Sequence, residues 1–345
     1  MKCGIMTFYF AHNYGAVLQT YALKHYLQQQ GHDVYVIDYV PQKLKNEYSL
    51  NPFARCTHPK AVVKRILRLP KRYHQHKMFS DFINKELWVS NNQSYDVVFF
   101  GSDQIWNEAI TGETSVYYGT ELDDKIKKVA YAASFGTSVL SDFQKNCCRN
   151  YLPSFFSISL RESDVIRDVK ALSGKEVVSV LDPVLLLERD EWRRFAQKAS
   201  FRIDSEYILY YALRNDDKLI SKVANLESQT GMKVVCVHPT CNELNVGWEQ
   251  LYNVGPYEFV SLIQNASYVA TNSFHAIVFS ILFGKKVVYK SYSKTESRVP
   301  SILNLIGFDY NQKGESQCFD FSKLKDDVLS KERIISMDFL RGAFE

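Results

Sequence analysis

The chain has 345 residues, 46% hydrophobic and 14% aromatic, which is enough apolar material for two packed domains and excludes a disordered or low-complexity polymer. A net charge of +4 is too small by itself to argue for nucleic acid, and no apolar run reaches the ~18 residues of a membrane span. Seven scattered cysteines, with no signal peptide and no Cys-x-x-Cys pair, read as reduced thiols of a cytoplasmic protein.

Cys3 to Phe8 reads as a short buried strand. It passes through a polar turn, Ala11-His12-Asn13-Tyr14-Gly15, into a helix over 16–30. Ala16, Val17, Leu18, Tyr21, Ala22 and Leu23 recur there at three- and four-residue steps, which predicts an amphipathic helix. Gly31 stops it, and "DVYVIDY" (33–39) is the next strand, closed by Pro41. Strand, helix and strand in succession make the parallel crossover unit of α/β folds. Residues 42–90 read as mostly helical. Within them Lys60 to Lys77 carries four lysines, three arginines and no acid, so the rest of the chain sums to 4 − 7 = −3. A solvated helix face is the plain reading of this run; an anionic membrane surface is the sharper one.

Further strands are expected at 95–100, 127–134, 157–160 and 177–180, with helices over 140–152 and to 173. After "VLLLERDEW" the alternation restarts, with strands at 207–213, 233–238, 266–271 and 286–289 and helices over 216–230, 257–264 and from "TNSFHAIVFSILFG". The pattern predicts two α/β units joined near 184–204: residues 1–190, and 191–345 ending in a helical tail.

In open parallel sheets ligands sit beyond the carboxyl ends of the strands, so the strand exits carry the functional signal. At the first exit, Asn13 and the free N–H groups of a helix start suit a polar or anionic ligand. Alternatively Asn13 only caps the helix and Gly15 only allows close packing. A dinucleotide site lacks its glycines here. "GSDQIWN" places Asp103, Gln104 and Asn107 beside Trp106, the fixed hydrogen bonds and flat ring of a sugar site. Its plain reading is a helix cap by Ser102 or Asp103 over a buried Trp. Arg161 at another exit can fork onto phosphate or carboxylate, or merely pair with Glu162 or Asp164. His275, between a strand and a helix start, suits proton transfer next to an anion, or is a structural histidine. Ser297-Arg298 lies in a polar loop downstream. No metal site is expected: no two histidines lie at i, i+4 beside an acid, and a Gly-x-Ser-x-Gly nucleophile turn is absent.

Taken in order, "GIMTF…NYGAVLQTYAL", "FGSDQIWN", "YAASFG", "SLRESD", "LDPVLLL" and "TNSFHAIVFSILF" resemble the polysaccharide pyruvyl transferase family over residues 3–310. The resemblance implies a glycosyltransferase-B-like fold, two Rossmann-like domains with parallel sheets facing across a cleft. It implies transfer of pyruvate from phosphoenolpyruvate onto two hydroxyls of a hexose, in a cell-surface polysaccharide or its lipid-linked precursor. It implies that His275 and Arg161 are catalytic, and that Arg161, Ser273, His275 and Arg298 face the donor. Asn13, Tyr14, Asp103, Gln104 and Trp106 would then line the acceptor side. In several family members an Arg-Leu dipeptide precedes the histidine; here Ser273-Phe274 stands there, so Arg298 or Lys290 is expected to supply the missing cation. No cofactor is implied beyond the donor, and the partners are the saccharide, phosphoenolpyruvate and, through Lys60–Lys77, the inner face of an anionic membrane, with no nucleic acid. A nucleotide-sugar glycosyltransferase of the same fold and a non-catalytic saccharide-binding protein are the competing readings.

Overall fold

The structure is a computed structural model that describes residues 1–345 except 46–49, 52, 54–58, 91–93, 239–245, 292–296, 311–315 and 326; the side chains of 59–61 and 64 also lie outside the description.

The first half alternates strands and helices in the order β1 (Lys2–Met6), α1 (Tyr14–Gln29), β2 (Asp33–Val36), α2 (Gln42–Lys45), α3 (Pro59–Leu67) and α4 (Leu69–Phe82). It continues with β3 (Val97–Phe100), α5 (Glu108–Thr111), β4 (Lys127–Ala133), α6 (Asp142–Tyr151), β5 (Ser157–Leu160), α7 (Ile166–Ser173) and β6 (Val177–Ser179). After α8 (Arg189–Ala196) come β7 (Tyr207–Tyr211), α9 (Asp217–Thr230), β8 (Lys233–Val237), β9 (Glu249–Leu251) and α10 (Pro256–Asn265). The chain closes with β10 (Tyr268–Thr271), α11 (Phe274–Leu282), β11 (Lys286–Tyr289), α12 (Arg298–Leu305), β12 (Gln317–Asp320) and α13 (Ser330–Gly342).

The strands form two six-stranded sheets, ordered β2-β1-β3-β4-β5-β6 and β12-β11-β10-β7-β8-β9. Every neighbouring pair is parallel except β11 with β12. Parallel strands covered on both faces read as unbroken apolar runs, as in Val97–Phe100 and Tyr207–Tyr211, all buried. The short β9 and the antiparallel β12 escape the sequence pattern because each offers only a few mixed residues at a sheet edge.

Helix α1 departs from its amphipathic expectation. Twelve of its sixteen residues are buried, including Gln19, Thr20 and Lys24, because it packs against its own sheet on one side and the second unit on the other. Tyr14 stacks on Phe259 of α10 at 4.2 Å with its hydroxyl donating to the Val254 carbonyl at 2.9 Å. Such a stacked pair adds roughly 0.5–1.5 kcal/mol beyond its burial. Burial also draws the Lys24 pKa down to about 8. The helical tail α13 returns to the first sheet: the Leu181 N–H donates to Ser336 Oγ at 2.9 Å, and the Phe344 ring stacks on His32 at 3.7 Å. Phe339 and Phe344 find Tyr131 and Phe99 there, so the tail buries its apolar face against the unit to which its sequence position did not assign it.

Candidate active site

Each sheet has one place where the strand order reverses. In the first it lies between β1 and β3, and in the second between β7 and β10. The loops leaving those four strands meet. Phe8, Ala11 and Asn13 after β1, Asp103 and Gln104 after β3, Leu213 after β7, and Ser273, Phe274 and His275 after β10 line one cleft of about 180 Å³, joined by Arg298 from α12. This is the location that the strand-exit rule assigns to ligands.

His275 is the second residue of α11 and lies 6% exposed. Its Nε2 stands 3.4 Å from Oδ2 of Asp182, which comes from the loop after β6. The same carboxylate oxygen accepts from Arg161 Nη1 at 2.9 Å and from Ser102 Oγ at 3.3 Å, while Oδ1 accepts the Val184 N–H at 3.0 Å. Burial alone pushes the Asp182 carboxyl up; His275, Arg161 and the Val184 N–H outweigh it and hold the group well below the usual carboxylate range. Asp182 is therefore ionised near neutral pH and sets a negative charge beside the histidine ring.

The ring approaches closely because of Gly15. A Cβ at that position would lie 2.0 Å from His275 Nδ1, inside any van der Waals limit. Gly15 thus makes the room that a histidine on the opposite unit fills. Asn13 accepts the Gly15 N–H at 2.9 Å and caps α1. Gly101, at φ +112°, is held likewise: a Cβ there would sit 2.4 Å from the Tyr131 carbonyl. It turns the chain so that Ser102 reaches Asp182 and Asp103 reaches the cleft.

Arg161 sits behind the cleft wall. Its guanidinium lies 4.7 Å over the Phe274 ring, and Nη2 is 3.7 Å from Asp103 Oδ1. Among the described residues its Nε and Nη2 are buried without a hydrogen-bond partner. Arg298 lies on the wall, 5.4 Å over the same Phe274 ring, and the Gln104 amide with its oxygen turned that way accepts from Nη1 and Nη2 at 2.9 Å. Glu162 does not pair with Arg161 in a direct bridge. Its Oε1 accepts the N–H groups of Phe135 and Gly136 at 2.6 and 3.3 Å, and burial raises its pKa despite Arg161 nearby.

The structure thus brings together Asn13, Asp103, Gln104, Ser273, His275 and Arg298, with Arg161 just behind. It does not bring Trp106 or Tyr14. Trp106 is 1% exposed, donates from Nε1 to the Tyr117 carbonyl at 2.9 Å and stacks on Tyr118 at 5.2 Å. The ring that suggested a sugar platform is a core residue, satisfied inside. Tyr14 is equally buried in the contact between the two units. Asn107, not Ser102 or Asp103, caps the following helix, accepting the Ala109 N–H at 3.0 Å. Of the two cations expected to replace the absent arginine, Arg298 reaches the cleft, whereas Lys290 pairs with Asp216. Asp182 is the residue that the sequence marks at a strand exit but to which sequence reasoning gave no role. Its signal was present, an aspartate at a strand exit followed by Pro183, yet nothing local says that it faces a histidine 93 residues later in the chain, the difference of 275 and 182.

Two Rossmann-like sheets whose reversal points face one cleft define the glycosyltransferase-B architecture. A Listeria monocytogenes protein assigned as a UDP-N-acetylglucosamine 2-epimerase is similar in fold, with TM-score 0.52 and 11% identity over 99% of this chain and 89% of that one. The UDP complex of S. aureus MnaA is similar too, with TM-score 0.50 and 11% identity over 98% of this chain and 89% of that one. At such identities the likeness speaks for the fold alone. No curated protein matches the chain. The polysaccharide pyruvyl transferase family matches residues 13–294, most of the chain, and the protein belongs to that family of transferases.

Proposed function

We propose that the protein transfers a pyruvyl group from phosphoenolpyruvate to two hydroxyls of a saccharide, as a free glycan or a lipid-linked precursor. The observation that carries this reading is a small cleft lined by His275 and Arg298, with the buried pair of Asp182 and Arg161 directly behind the histidine. Phosphoenolpyruvate bears a carboxylate and a phosphate; Arg298 supplies a cation in the cleft that recognises them, and Arg161 adds positive charge from behind Phe274. The volume also favours a compact donor. About 180 Å³ is below the ~300–1,000 Å³ of sites for drug-sized ligands, a scale closer to a nucleotide sugar.

In this reading His275 delivers a proton to the donor's methylene carbon, making a methyl group and an oxocarbenium-like centre at the adjacent carbon. A sugar hydroxyl oxygen bonds to that centre and its proton returns to His275. The carbon–oxygen bond to phosphate then breaks, and the second hydroxyl closes the ketal, its proton leaving with the phosphate. Asp182 is a positioning residue that holds the ring and offsets the imidazolium charge. Asn13, Asp103 and Gln104 on the opposite wall face the acceptor.

The test is a donor and acceptor panel. Inorganic phosphate released from phosphoenolpyruvate only when a glycan is present, with a pyruvyl ketal in the product mass spectrum, supports the reading. Nucleotide release from a nucleotide sugar, or glycan binding without turnover of either donor, refutes it.

A further inference from the structure

We propose that the outward face of α3 and the start of α4 is a docking surface for an anionic phospholipid membrane. Helices of water-exposed proteins turn their apolar stripe to the core. Here a second stripe faces out. Val63, Ile66, Leu67 and Tyr73 are 55%, 44%, 74% and 59% exposed, and Pro70 between them is exposed as well. Their spacing, 63, 66, 67, 70 and 73, follows one helical face across the junction of the two helices, where the Arg72 N–H donates to the Arg68 carbonyl at 3.0 Å.

The inner face is already used. Gln75 Nε2 donates to the His238 carbonyl at 3.0 Å, and Phe79 is fully buried. The outward residues therefore do not wait for a place in this core. Arg65, Arg68 and Lys71 flank them, Lys77 follows, Arg72 lies inward toward His12, and the run from Lys60 to Lys77 contains no acid. Lys71 also lies 4.0 Å over the Tyr252 ring.

An apolar stripe between rows of cations is the pattern of a helix that lies in a lipid headgroup layer. No described helix is long and apolar enough to cross a membrane, so lying on the surface is the fitting mode. A second copy would bring an identical positive face, which repels. A polynucleotide would engage the cations but leave the outward apolar residues without a role.

The surface leads toward the cleft. One turn beyond Tyr73, the His76 ring meets His12 edge-on at 4.6 Å, and His12 precedes Asn13 of the cleft wall. A membrane-docked protein would thus present its acceptor side near the lipid surface. This inference does not depend on the identity of the donor, and its test reads binding without turnover.

The intact protein is sedimented with vesicles of phosphatidylcholine alone and of phosphatidylcholine mixed with phosphatidylglycerol. Partition to the mixed vesicles alone, falling by about tenfold or more from low to high salt, is expected. The double variant Leu67→Ser with Tyr73→Ser should lose about tenfold of that partition with its melting temperature kept. Arg65→Gln should lose about fivefold. Absence of binding at low salt overturns the proposal. So does a double variant that binds as well as wild type; competition by duplex DNA or heparin would then mark a surface for soluble polyanions instead.

Discussion

Two strand–turn–helix corners meet at the cleft, and each carries a histidine. In the corner between β1 and α1, His12 packs edge-on to His76 and beside Phe79. Burial, with His76 and Arg72 nearby, draws its pKa down from 6.5 to about 3, so it is neutral at all ordinary pH values. In the corner between β10 and α11, His275 faces the buried carboxylate of Asp182 at 3.4 Å. The first corner gives up a side chain at Gly15; the second fills that room with a ring. The same local motif therefore serves packing in one half and, in the proposed reaction, chemistry in the other. What separates them is the charge brought up from elsewhere in the chain, not the motif.

Removing that charge should erase the difference most completely. Asp182→Asn takes the nearest counter-charge from Arg161 and the orienting partner from His275. Turnover should fall on the order of 10²–10⁴-fold, and unfolding free energy by about 3–5 kcal/mol, as for a buried pair broken on one side. Steady-state kinetics and chemical denaturation of one preparation measure both. A variant of wild-type rate would deny Asp182 its role.

Closing the room at the first corner comes next. Gly15→Ala forces His275 or the start of α1 to move, since the new Cβ would otherwise lie 2.0 Å from Nδ1. A displacement of this size should cost about 10² in kcat, and overpacking about 1–3 kcal/mol in stability. An unchanged kcat would mean that the close approach serves folding only.

The arginine and the lysine of the second half can be set against each other. Arg298→Ala should raise the donor KM by about tenfold or more, the scale of a lost charge-assisted hydrogen bond. Lys290→Ala should leave KM near wild type, because that lysine is engaged with Asp216. The reverse order of effects would move the donor site toward β11.

The smallest effect concerns pH. A histidine whose folded pKa lies below its unfolded value favours the folded state fully above the unfolded pKa and loses that contribution as pH falls. For His12 the window runs from 6.5 down to about 3. His12→Gln should therefore flatten the decline of unfolding free energy across this window by at most a few kcal/mol. An identical slope in the variant would show that His12 is not the group being protonated.

Much of the fold was legible because its signals are local. Apolar runs marked ten of the strands by their own composition, and Gly31 and Gly231, both at positive φ, marked where α1 and α9 stop. His275, Arg161 and Arg298 were legible as polar residues at strand exits or just after them. Three features were not legible, each for a non-local reason. Trp106 looked like a binding ring because its neighbours are polar, and only the fold shows Tyr117 and Tyr118 enclosing it. Helix α1 looked one-sided because nothing local shows that its polar residues are buried, Gln19 against Thr7 and Lys24 over the Trp88 ring. Asp182 acquires its meaning from residues on β5, the β3 loop and α11, which approach it only when both sheets are in place.

The central claim is that His275 moves the protons of pyruvyl transfer. Its most direct test is turnover of phosphoenolpyruvate with an accepted glycan in heavy water, for wild type and His275→Gln. Wild type should place one solvent deuterium in the methyl group of the ketal. The variant should form that product on the order of 10²–10⁴-fold more slowly, with a melting temperature near wild type. A variant that keeps more than about a tenth of the wild-type kcat, or a product methyl without solvent deuterium, would contradict the account.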